Sequence, residues 1–135
     1  MKFNTSAIIA IAATLAAACG TAKSNVAEQL TGEWAIENAL GVSTENAETP
    51  AFINFEKGGK LNGNASVNTF FGDYKLDGNK LKLGNIGMTR MMGASMEIED
   101  AVTAALNKTA SVEINGDSAV ILDAEGAQVL VLVRK

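Results

Sequence analysis

Between Ala51 and Leu83 the chain alternates apolar and polar residues in several short runs separated by turns, and no other feature limits its fold so tightly. In "AFINFEKGGKLNGNASVN" Ile53 and Phe55 point one way before a turn at Lys57-Gly58-Gly59. Leu61, Gly63, Ala65 and Val67 then alternate with Asn62, Asn64, Ser66 and Asn68. A period of two marks a half-buried strand with a polar outer face, so the stretch predicts an antiparallel hairpin. "FGDYKLDGNKLKLGN" predicts a second hairpin, in which Tyr74 and Leu76 return as Leu81 and Leu83 across Asp77-Gly78-Asn79.

After Ser95 the period lengthens. In "SMEIEDAVTAALNK" the apolar residues Ile98, Ala101, Val102, Ala105 and Leu106 recur at three and four, which predicts a helix from Ser95 to Lys108. Ser95 is placed to cap its first turn. Glu97, Glu99 and Asp100 lie at the positive end of the helix dipole, and Lys108 at the negative end. Three strands follow, separated by turns at Asn115-Gly116 and Ala124-Glu125-Gly126. The last, "QVLVLVR", is apolar on both faces and belongs in the centre, against the helix. With Trp34 and Ile36 on a strand in "LTGEWAIENA", the count reaches about eight strands and one helix. The expected fold is α+β: an antiparallel meander curled into a partly closed barrel, with the helix over an open end or face.

Upstream of this domain the chain opens with Lys2 and an apolar, alanine-rich block from Ala7 to Ala18, too short to span a bilayer. Residues 1–18 therefore read as a secretory signal peptide. Cys19, the single cysteine, follows three alanines and precedes Gly20, an arrangement similar to the bacterial lipobox, although Ala16 stands where leucine is usual. This resemblance implies lipidation of Cys19, a polar tether through residue 29 and a domain over 30–135. Gly20 in place of aspartate after the cysteine points to the outer membrane, with the domain facing the periplasm.

The chain has no histidine, so Ser-His-Asp triads, Cys-His pairs and histidine-based zinc sites are excluded. Its net charge is −4, one unit more negative without Lys2, which leaves no electrostatic footprint for nucleic acid. Asp73 and Asp77 near Glu56 form a possible carboxylate cluster. They fall at turns, where acidic side chains are ordinarily solvated. No enzymatic activity and no cofactor are expected.

"LTGEW", then Asn68, Phe71, Gly72 and Tyr74 after a strand, then Thr89 and Met91 followed by Glu97 and a helix, resemble the META domain of the HslJ family of bacterial stress-linked lipoproteins. The resemblance implies an α+β fold, an envelope location and a stress-related role, and supplies no reaction. Many family members carry cysteines where this chain has Val67 and Gly93, so any function of that pair is absent here.

"MTRMMGASME" holds four of the five methionines, Met88, Met91, Met92 and Met96. Thioethers are soft ligands, and Met88 and Met92 offer a Cu(I) site as the alternative function. They also adapt to varied apolar shapes, so together with Trp34, Phe70, Phe71 and Tyr74 they form a candidate surface for a protein or apolar ligand. The third reading is packing where a loop feeds a helix. On the sequence, Met91 and Met96 are expected to be structural, and Met88 and Met92 exposed.

Overall fold

The computed structural model describes residues 26–135. Cys19 and the signal and tether readings for residues 1–25 lie outside them. A short helix, α1, over residues 26–30 leads into β1 (Gly32–Ala39), so regular structure begins inside the stretch read as tether. The order continues β2 (Val42–Ser43), β3 (Phe52–Glu56), β4 (Lys60–Asn64), β5 (Thr69–Asp77), β6 (Lys80–Met88), α2 (Glu97–Lys108), β7 (Ser111–Asn115), β8 (Ser118–Leu122) and β9 (Gln128–Arg134).

The strands follow the alternation in the sequence. Tyr74 pairs with Leu83 and Leu76 with Leu81 across the expected turn. Each strand from β3 to β9 pairs antiparallel with the next, and β9 returns to β1 from Trp34↔Arg134 to Ala39↔Leu130. Eight strands thus close a ring, and the two-residue β2 lies beside the end of β1 as an extra strand. The apolar face of every strand points into the ring. Trp34, Ile36, Ile53, Phe55, Leu61, Phe70, Leu81, Ile121, Leu130 and Leu132 are buried there, as small barrels fill their own interior. Gly63 makes the room: a Cβ at that position would lie 2.5 Å from Phe70 Cζ.

Both ends are covered. At one, the Arg134 guanidinium donates to the carbonyls of Gln29 and Thr31 and lies 4.0 Å over the Trp34 ring. Trp34 Nε1 donates to Leu30 O at 2.8 Å, so the first and last strands fasten α1 together. At the other, α2 packs on β9, β1 and β2 through Ile98, Ala101, Val102, Ala105 and Leu106, the stripe read from the sequence. The helix starts at Glu97, two residues later than expected, and Ser95 does not cap it: Met96 occupies the cap position with no side-chain bond. The last strand takes its expected central place, between β8 and β1 and against α2.

One seam is thin. β6 pairs along its length with β5 but meets β7 only at Lys80↔Ser111. Between Asp73↔Gly84 and Phe71↔Gly87, β6 carries one more residue than β5, and Asn85 takes a φ of 52°. Such a bulge bends its strand and increases its twist. Beyond it, the upper half of β6 runs free of β7.

Because Leu132 is fully buried in the ring, Leu132→Ala should cost about 2 to 5 kcal/mol. Met92→Ala, at an exposed position, should stay within about 0.5 kcal/mol. The denaturant midpoints of the two variants check both.

Candidate functional site

All four clustered methionines line one groove of about 480 Å³, walled by the end of β6, the loop after it and one face of α2. Met92 and Met96 fit the sequence expectation, whereas Met88 and Met91 exchange places. Met91 and Met92 are 58% and 83% exposed, whereas Met88 and Met96 are half-buried. Met88 lies opposite Phe70 in the β5–β6 ladder and so shares its inward face. Its sulfur also sits 3.8 Å from Thr103 Oγ1. Met91 is structural through its backbone alone. Its N–H donates to Asn68 Oδ1 at 2.6 Å and its carbonyl accepts from Asn68 Nδ2 at 2.9 Å, which leaves the side chain outside.

Trp34 and Phe70, expected to help line this surface, are fully buried in the barrel and unavailable to a ligand. Tyr74 belongs to the opposite end. Its hydroxyl donates to Glu56 O at 2.7 Å, and its ring meets Phe55 edge-on at 5.1 Å. Burial, with a smaller push from Glu56, raises that hydroxyl above the usual tyrosine range. Phe71, 53% exposed, does not line the groove itself but packs over Gly87, which does.

Asn68 and Glu99 organise the site, and neither was singled out in the sequence for this role. Glu99 Oε1 accepts from the N–H groups of Val67, 3.0 Å, and Asn68, 2.7 Å; Oε2 accepts from Asn68 Nδ2. Asn68 Oδ1 also accepts from Thr89 Oγ1 at 2.9 Å, so both atoms of its side-chain amide are fully used. Both residues are buried, and the bonds tie the β4–β5 loop to the methionine loop and to α2. The legible signal was Glu99 itself, an acid three residues before Val102 on the apolar stripe, where a carboxylate needs donors.

Glu48 does a related job from further away. Its Oε2 accepts from the amides of Ala94, 2.8 Å, and Ser95, 3.4 Å. Val67 and Gly93, the positions where the family resemblance puts cysteines, are neighbours: a Cβ at Gly93 would lie 2.6 Å from Val67 Cγ2. Here hydrogen bonds, not a covalent link, join the two loops. The carboxylate cluster foreseen at the turns is divided among other partners. Asp73 binds Lys60 at 2.9 Å and Asn85 Nδ2 at 2.8 Å, and Glu56 accepts from Asn62 at 2.6 Å. The Asn85 amide, then the Lys60 ammonium, hold the Asp73 carboxyl below the usual range. Among the described residues no group of three or more Asp, Glu, Cys or His side chains could hold a metal ion.

The META domain family matches residues 27–135. The chain belongs to it. An NMR structure is 24% identical with a TM-score of 0.64, covering 78% of this chain and 92% of the other. An NMR structure of a Burkholderia xenovorans protein is 23% identical with a TM-score of 0.59, covering 80% and 85%. The crystal structure of a DUF4847 family protein from Bacteroides vulgatus is 14% identical with a TM-score of 0.56, covering 78% and 94%. Among curated proteins none matches. These likenesses establish the barrel, and the META domain family is not a known enzyme family.

Replacing Asn68 by Ala strips a donor from buried Glu99 and both partners from the Met91 backbone. Hydrogen bonds to charged groups are worth about 1.5 to 3 kcal/mol, so the loss should exceed about 2 kcal/mol by chemical denaturation. A brief peroxide pulse, read by mass spectrometry, should oxidise Met91 and Met92 first and Met88 and Met96 markedly later.

Proposed function

We propose that this META-domain protein is a non-catalytic binding module, tethered by lipid on Cys19 to the bacterial envelope and acting there in stress-related maintenance. The observation that carries the binding reading is the methionine groove: four thioethers, two of them well exposed, gathered on one concave surface held in shape by Asn68 and Glu99. Exposed large apolar side chains on a small domain mark sites of contact, and methionine accommodates partners of varied shape. The lipobox-like run before Cys19 supports the anchor, and two or more acyl chains hold a protein stably where one does not. The orientation toward the outer membrane rests on Gly20.

Two measurements test this reading. Cells fed an alkyne-tagged palmitate should label the protein, and Cys19→Ala should abolish both label and membrane retention; a Cys19→Ala protein that still fractionates with membrane would count against the anchor. Titration with Cu(I) against a competing chelator addresses the alternative site at Met88 and Met92. The binding-module reading expects no tight uptake. Uptake lost in the Met88→Leu, Met92→Leu double variant would instead make this a copper-binding lipoprotein.

A further inference from the structure

We propose that the groove receives an extended segment of a partner polypeptide, added as a strand to the free edge of β6. This inference rests on the binding-module reading and names the class of partner. Leu81 N–H, near the start of β6, is taken by Ala110 O at 3.0 Å, and above that point no strand among the described residues lies on this side of β6. Thr89 N–H bonds to Thr69 O on the β5 side. Main-chain groups alternate sides along an antiparallel strand, so those of Met88 face the groove. Residues 84–88 give an edge of roughly 17 Å at about 3.4 Å per residue, a typical strand length.

The chemistry of the groove selects a polypeptide. Main-chain groups on an edge that no described strand pairs with, such as those of Met88, are complemented by another main chain, whereas an acyl chain offers them nothing. Residues 84–88 carry no charged side chain, the kind of residue that keeps an edge from pairing. The facing wall is α2, where Met96, Asp100, Thr103 and Asn107 recur at three and four. A strand seated here would put alternate side chains against the thioethers and its main chain beside polar groups.

The proposed anchor on Cys19 argues against the protein's own tether as the occupant. Successive strands alternate in direction, so α1 and the start of β6 share one end of the barrel, and the end of β6 lies at the other. Anchored at Cys19, residues 20–25 extend at most about 20 Å from α1. Lipid on Cys19, as proposed above, would hold the membrane at the end away from the groove, which would then open toward other envelope proteins.

The test uses the full chain in lipid nanodiscs and fluorescein-labelled nonapeptides alternating threonine with valine, leucine, phenylalanine or methionine, with lysine at each end. Anisotropy should show saturable binding absent from empty nanodiscs, with hydrogen exchange slowed at residues 84–92. The same peptides N-methylated at alternate residues, so that one edge loses its donors, should bind at least tenfold more weakly. Equal binding after methylation on either edge would overturn strand addition. So would failure of every peptide while anilinonaphthalene sulfonate binds and slows exchange at 84–92, a result that keeps the apolar-ligand reading. Failure of peptide and dye alike would overturn both.

Discussion

The bonds between Asn68 and Glu99 are the constraint on which the functional end of this barrel depends. A carboxylate taken from water is tolerated only where donors replace the lost hydration, and Glu99 finds three N–H groups, two from the backbone of the β4–β5 loop and one from the Asn68 amide. The remaining capacity of that amide is spent on Thr89 and the Met91 backbone. One side chain thereby fixes a loop, the exit from β6 and the first turn of α2 in a single arrangement. Remove the node, and the methionine loop loses the partners that set its path.

Much of the barrel was legible because alternation is a local property. Two hairpins, the turns at Asp77-Gly78-Asn79 and Ala124-Glu125-Gly126, and the buried stripe of α2 all follow from residues close in sequence. What escaped depends on contacts between distant segments. Ser95 resembles a helix cap, yet its amide and that of Ala94 turn to Glu48, far back in the chain. Met88 looked exposed until the ladder set it opposite Phe70. Met91 looked buried because its motif is structural, but the structure lies in its main chain. Trp34 and Phe70 were assigned to a surface, whereas a ring of eight strands needs its largest side chains inside.

The same geometry connects architecture to function. α1, clamped by Arg134, closes one end, and α2 closes the other, while among the described residues no strand pairs with the upper edge of β6. The bulge at Asn85 bends β6 where that free stretch begins, so an apparent irregularity coincides with the groove. Strand bulges of this kind are over-represented beside functional sites. Val67 and Gly93, where the family resemblance implies cysteines, are neighbours, and their loops are here joined by Glu48, Asn68 and Glu99.

Amide hydrogen exchange at Val67, Asn68 and Met91 would test the central claim most directly. All three lie outside regular strands and helices, where amides ordinarily exchange within the fastest class. If Glu99 and the Asn68 amide hold them as described, their protection should match that of β5 and collapse in Asn68→Ala. Exchange at the rate of the exposed turns in the unaltered protein would contradict the account, because the node would then not be what shapes the groove.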